Sequence, residues 1–255
     1  MKQRLVIKVG SNVLTRPDGT LNITLISAIV DQIAELRKLR NEVILVSSGA
    51  VASGRSELRI ESHLDSVEQR QLFSAIGQVR LINLYYDLFR EHGIHIGQVL
   101  TMKENFKEGE QYQNQKACMR LMLDMGVLPI VNENDTVALS ELMFTDNDEL
   151  SGLIAQMLNA DKLILLSNID GIYDGDPKNP ESKVIDKVEQ GRDLSEYIHR
   201  EKSSFGRGGM ESKYHTATEV ASHGINVIIA NGTRENILVD LISDSQNIPH
   251  TEFMV

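Results

Sequence analysis

The 255-residue chain carries 26 basic and 36 acidic residues, a formal charge of −10, which argues against general attraction to nucleic acid or to an acidic membrane. Cys118 is the single cysteine, so an intramolecular disulfide is excluded and a reducing cytoplasm is expected. No stretch approaches the roughly 18 to 20 apolar residues of a transmembrane helix, and the short apolar run after Met1-Lys2-Gln3-Arg4, broken by Lys8, lacks a signal-peptide pattern.

Taken in order, Leu5 to Val9 reads as a buried strand, Ile23 to Leu39 as a helix and Val43 to Val46 as a second strand, a βαβ opening. Leu72, Ala75, Ile76, Val79 and Ile82 recur at helical spacing in a long helix running towards Arg90. A strand is expected at Ile94 to Leu100, a helix at about Gln111 to Met125, and a strand at Val127 to Val131. Within the second of these helices Cys118 is expected to pack inside rather than act as a nucleophile. Leu150, Leu153, Ile154 and Met157 mark a helix starting near Asn147, and Leu163 to Leu166 is an apolar strand of the kind buried in parallel sheets. Residues 172 to 208, rich in Gly, Pro, Asp and Asn, read as a mobile cover. A helix is expected after Lys213, a strand at Val227 to Ala230 and a short helix at Glu235 to Leu241.

This alternation predicts an α/β protein, a three-layer αβα sandwich with a mainly parallel central sheet. Ligands of such sheets bind beyond the carboxyl ends of the strands. Four polar clusters fall at those ends: Gly10-Ser11-Asn12, Ser47-Ser48-Gly49-Ala50, Asn132-Glu133-Asn134-Asp135 and the stretch from Ser167 to Gly171.

Two lysines stand in glycine settings that suit phosphate. Lys8 closes a strand just before Gly10, where bare N–H groups can meet an anion. Lys213 follows Gly206-Arg207-Gly208-Gly209-Met210-Glu211-Ser212, a flexible loop feeding a helix N-terminus. Each alone could point to water. Asp146-Asn147-Asp148 is open to two readings, a helix cap or inward carboxylates that orient ammonium groups, hold Mg²⁺ indirectly or receive an amino group. The Asn132 to Asp135 cluster is either a polar amino-acid site or a plain turn, and the Ser48-Gly49-Ala50 turn suits a carboxylate or phosphate. P-loop and dinucleotide fingerprints are absent. The seven histidines, including His92 and His95 at a turn, form no metal-ligand pair, and no protein metal ligand is assigned.

In this order the segments resemble the amino-acid kinase family. The stretches that carry the likeness are Val6-Ile7-Lys8-Val9-Gly10-Ser11, Val46 to Arg55, Ala75-Ile76-Gly77-Gln78, Val131 to Asp135, Asp146-Asn147-Asp148, and Gly208-Gly209-Met210 with Lys213. Within the family the Asn-Glu-Asn-Asp and Asp-Asn-Asp pair favours the branch acting on L-glutamate. The resemblance implies ATP- and Mg²⁺-dependent phosphorylation of the glutamate γ-carboxylate in proline synthesis. Lys8 and Lys213 would stabilise the moving phosphoryl group, with Asp148 orienting them or gripping substrate. Glutamate would meet Ser48, Gly49, Ala50, Asp135 and Asn147, with Asn132 and Asp146 nearby. ATP would lie along Lys8, Gly10, Ser167, Asn168 and the run Arg207, Gly208, Gly209, Met210, Glu211, Ser212 and Lys213.

The likeness further implies proline as feedback inhibitor, a homo-oligomer built on dimers, and coupling to glutamate-5-semialdehyde dehydrogenase. Many members carry a C-terminal PUA domain; with this chain ending at Val255, one catalytic domain over residues 1–255 is expected, without that extension. Asn168 and Asp170 stand where relatives favour Asp and Lys. Two other functions remain beside this one: a relative that phosphorylates N-acetylglutamate or another small acid, and a nucleotide-binding regulator without turnover.

Overall fold

The computed structural model describes residues 2–58, 64–138, 144, 146–198, 209–243 and 248–255. It opens with β1 (Arg4–Val9), a strand with five consecutive buried residues. Side chains alternate across a strand. Leu5, Ile7 and Val9 therefore enter one apolar layer, Val6 enters the other, and Lys8 shares the face of Val6. That parity decides where the first lysine goes.

The chain continues through α1 (Ser11–Leu14), α2 (Ile23–Lys38), β2 (Glu42–Ser47), α3 (Ala50–Glu57), α4 (Ser66–Glu91), β3 (Ile96–Thr101), α5 (Glu110–Asp124) and β4 (Leu128–Glu133). Next come α6 (Asn147–Leu158), β5 (Lys162–Ser167), β6 (Lys187–Val188), α7 (Met210–Ser222), β7 (Asn226–Asn231), α8 (Ile237–Ile242) and β8 (His250–Phe253). Among the described residues the strands form one eight-stranded sheet in the order β3-β4-β2-β1-β5-β7-β8-β6, in which only the β7–β8 pair is antiparallel. α2, α4 and α8 cover the face that receives Ile7; α5, α6 and α7 cover the face that receives Val6. The αβα sandwich expected from the sequence is the observed architecture. β4, β2, β1 and β5 are consecutive neighbours, so the four polar clusters lie side by side along one edge of the sheet.

Several details differ from the sequence reading. α7 begins at Met210, before Lys213, which places that lysine in the first turn instead of ahead of the helix. β6 and β8 have no counterpart in the expected elements, because two and four residues are too few to show a period. Cys118 is exposed, against the expectation of packing. α5 buries only Met119 and Leu123, four residues apart on one narrow face; Cys118 lies one position off that stripe. His63, His199 and residues 199–208 lie outside the described residues.

α3 and α4 cross with almost no space between their backbones. A Cβ on Gly77 of α4 would sit 1.8 Å from the Ala50 carbonyl oxygen, and one on Gly54 of α3 would sit 1.9 Å from that of Phe73. The crossing presses the start of α3, and with it the Ser48-Gly49 turn, against α4. Gly49 itself has φ of 105°, which a side chain would strain. Gly77→Ala should therefore destabilise the fold by about 1–3 kcal/mol, or several degrees in melting temperature by calorimetry. An unchanged melting temperature would mean that the helices do not approach this closely.

Candidate active site

Lys8 points from β1 into the layer of α6 and α7, and there it meets Asp148. Its Nζ lies 2.5 Å from Asp148 Oδ1, while Lys213 Nζ, arriving from the first turn of α7, lies 3.0 Å from Oδ2. Two cations from opposite ends of the chain thus share one carboxylate. The Asp148 side chain has 0% exposure, and those of Lys8 and Lys213 have 5% and 10%. Burial pushes the Asp148 carboxyl up, but the charges of Lys8 and Lys213 outweigh it and hold the group at about 2. Burial lowers Lys8, which Asp148 opposes and the neighbouring Lys213 reinforces.

The two readings of Asp146-Asn147-Asp148 prove compatible. Asp146 is the N-cap of α6: its Oδ1 accepts from the Asp148 and Glu149 backbone N–H groups at 2.9 and 3.1 Å. Capping by the first aspartate aims the second at the lysines. Asp146 Oδ2 is buried with no hydrogen-bond partner, and burial followed by the nearby Asp148 charge raises this carboxyl.

One cavity of about 1110 Å³ runs past both lysines. At one end Asn147 Nδ2 donates to Ser48 Oγ at 2.9 Å and Asn132 Oδ1 at 3.0 Å, and Asn132 Nδ2 donates to Gln78 Oε1 at 3.0 Å. Four separate segments of the sequence join in one polar network. Below it, Ser47 Oγ bonds the Tyr85 hydroxyl at 2.8 Å; burial pushes that phenol up to about 12, so the support stays neutral. Asp135 accepts from Arg70 Nε at 2.8 Å, and Arg70 Nη2 also reaches Glu133 at 2.7 Å. Gly49 and Ala50 line the same end.

At the other end the cavity is lined by Gly10, Ser167, Asn168, Tyr173, Pro177, Lys178, Tyr197, Gly209 and Met210. A Cβ on Gly10 would come within 3.3 Å of Lys8 Nζ, so a bare glycine leaves the ammonium room. Asp170 is turned away into a cluster: Arg234 donates to it from Nε and Nη2 at 2.6 and 2.8 Å, and Asn231 at 3.0 Å. Glu211 is exposed and Ser212 half-buried, and neither is on the cavity wall. Arg207 and Gly208 lie outside the described residues. The described part of the expected cover, from Tyr173 to Tyr197, supplies one wall of the cavity.

The sequence reading singled out neither Arg70 nor Tyr173. Arg70 sits among Glu68, Gln69 and Gln71, which reads as a solvated helix face, and Tyr173 sits in a loop with no periodic signal.

A mainly parallel sheet with two lysines on one buried carboxylate, at the waist of a cavity with two polar ends, is an architecture for phosphoryl transfer to a small molecule. The chain belongs to the amino acid kinase family, whose model matches residues 3–231. Among curated relatives, the glutamate 5-kinase of Bacteroides thetaiotaomicron is 64% identical over 257 residues, covering 100% of this chain and 71% of that protein. The glutamate 5-kinase of Chlorobaculum tepidum is 48% identical, covering 92% of this chain and 65% of the relative. That of Clostridium acetobutylicum is 40% identical, covering 94% and 91%. The chain thus spans about two thirds of the first two proteins and nearly all of the third. Among solved structures, UMP kinase from Ureaplasma parvum superposes with a TM-score of 0.68 at 17% identity, covering 100% of both chains. Carbamate kinase from Giardia lamblia bound to AMP-PNP gives 0.69 at 15% identity, covering 99% and 98%. At those identities the structures speak for the fold.

Because Asp148 has its carboxyl held below the usual value, its contribution to stability is complete above the unfolded-state value of about 4 and disappears as pH falls towards about 2. Asp148→Asn should cost about 3–5 kcal/mol at neutral pH, by leaving two buried cations facing each other. Urea unfolding should show that gap narrowing between about pH 4 and 2. A gap independent of pH would remove the ionised carboxylate from the explanation.

Proposed function

We propose that this chain transfers the γ-phosphoryl group of ATP to the γ-carboxylate of L-glutamate, giving γ-glutamyl phosphate and ADP, the first step of proline biosynthesis. The observation that carries the proposal is the convergence of Lys8 and Lys213 on Asp148 where the two ends of the cavity meet. The identity with glutamate 5-kinases over the whole chain supports the choice of acceptor.

A γ-carboxylate oxygen attacks the γ-phosphorus; the new O–P bond forms as the bond to the ADP oxygen breaks. No protein nucleophile or proton transfer is needed, so catalysis is positioning and charge stabilisation. Lys8 and Lys213 neutralise the charge on the moving group. Asp148, fully buried with an ammonium at each oxygen, orients the lysines and presents no face to substrate. Ser48, the Gly49 and Ala50 N–H groups, Asn132, Asp135 and Asn147 receive the amino acid, with Asp146 nearby; Asp135 suits a free ammonium better than an N-acetyl group. Lys8, Gly10, Ser167, Asn168 and the loop into α7, residues 207–213, receive ATP. The buried, unpartnered Asp146 Oδ2 fits a hydrated Mg²⁺ carried in with the nucleotide. Such an ion, when bound, screens the charge of the β- and γ-phosphates.

The proposal extends to cytoplasmic action, a dimer-based oligomer, proline inhibition and coupling to glutamate-5-semialdehyde dehydrogenase. Lability of an acyl phosphate in water supports rapid consumption by a reductase. No helix among the described residues is long and apolar enough to cross a membrane.

Incubation with ATP, Mg²⁺, glutamate and hydroxylamine should yield γ-glutamyl hydroxamate, with glutamate preferred over N-acetylglutamate, aspartate, carbamate and UMP. Preference for any other acceptor would overturn the substrate assignment. Lys213→Ala should lower kcat by about 10²–10³-fold with little change in KM for glutamate. A raised KM with kcat retained would reassign that lysine to ground-state binding.

A further inference from the structure

The cavity wall on the Ser48 side includes the acidic groups Glu133, Asp135 and Asp146 and the guanidinium groups Arg55 and Arg70. Arg70 is engaged with Glu133 and Asp135. Arg55 stands apart. It lies in the last turn of α3, exposed, and its guanidinium carbon rests 5.5 Å from the centroid of the Phe73 ring. It makes no ion pair or hydrogen bond among the described residues.

Its placement follows from the helix crossing. Ala50, Val51, Ala52 and Arg55 of α3 all line the cavity, and the contact of Gly54 with the Phe73 carbonyl sets Phe73 beneath the arginine. An aromatic face limits the freedom of a guanidinium without neutralising it. The result is a charged, planar donor fork held at the cavity wall and, unlike Arg70, without a carboxylate partner among the described residues.

An amino-acid acceptor brings three charges. The carboxylate to be phosphorylated goes to the lysines, and the ammonium is matched by the carboxylates. A second carboxylate remains, and on this side of the cavity Arg70 is already committed to Glu133 and Asp135, which leaves Arg55 to meet it. The backbone N–H groups of Gly49 and Ala50 offer it dipoles but no full charge. We infer that Arg55 reads the α-carboxylate of the acceptor and so sets the preference for a free amino acid over acceptors lacking that charge. The inference rests on the acceptor assignment made above. Arginine suits the role because its fork matches a carboxylate with two parallel hydrogen bonds.

The test compares L-glutamate with isoglutamine, its α-amide, which keeps the γ-carboxylate and the ammonium but loses one charge. In R55Q, KM for glutamate should rise about tenfold or more with kcat within about threefold, the loss expected for a charge-assisted contact made equally in ground and transition states. The ratio of kcat/KM for glutamate over isoglutamine should fall by a similar factor, and R55K should restore part of it. An unchanged ratio in R55Q, a native ratio near one, or a fall in kcat without a rise in KM would each overturn the role of Arg55. Failure of the native protein to form hydroxamate from glutamate would instead overturn the acceptor assignment, before the variant is considered.

Discussion

Three buried charges hold this structure and its chemistry together. Asp148 lies between Lys8 and Lys213, and each element that carries one of them, β1, α6 and α7, must be in place for the other two to be tolerable. A buried ammonium is costly unless a carboxylate faces it, and two ammonium groups near one another add repulsion. One carboxylate between two lysines leaves a surplus positive charge, and the lysines, unlike Asp148, reach the cavity wall. That surplus is what a transferring phosphoryl group needs, and in a chain of net charge −10 it has to be made locally.

Sheet geometry explains how residues 205 positions apart come together without long-range guidance from loops. The parity of β1 sends Lys8 to one layer. α6 enters that same layer with Asp146 capping its first turn, which turns Asp148 inward. Parallel pairing of β4, β2, β1 and β5 brings their carboxyl ends to one edge, so the polar groups that follow β2 and β4 lie beside those that follow β1 and β5. The two ends of the cavity are therefore two halves of one row of strand ends.

Much of this was legible in the sequence. Strands buried on both faces are apolar runs, which is why β1, β2, β4 and β5 stand out, and the glycines and small polar residues after them mark the strand ends. Lys8 was legible because a lysine interrupts an apolar strand next to Gly10. Its convergence with Lys213 was not, since no local pattern reports contact between distant residues. The Asp146-Asn147-Asp148 motif was ambiguous for a physical reason: a helix cap and an inward carboxylate use the same residue types at the same spacing, and here the motif is both. Arg70 was silent because a polar helix face gives no sign that it borders a cavity. Cys118 was misread because the apolar stripe of α5 passes one residue away from it. β6 and β8 are too short for periodicity, and their pairing is set by the sheet edge they complete.

A crystal structure with glutamate, Mg²⁺ and an unreactive ATP analogue bears most directly on the triad. The γ-phosphate should lie between the two ends of the cavity, with the ammonium nitrogens of Lys8 and Lys213 each within about 3.5 Å of its oxygens and Asp148 still joining them from behind. A γ-phosphate bound out of reach of either lysine, with the pair around Asp148 unchanged, would contradict that role and leave the three charges as a feature of folding alone.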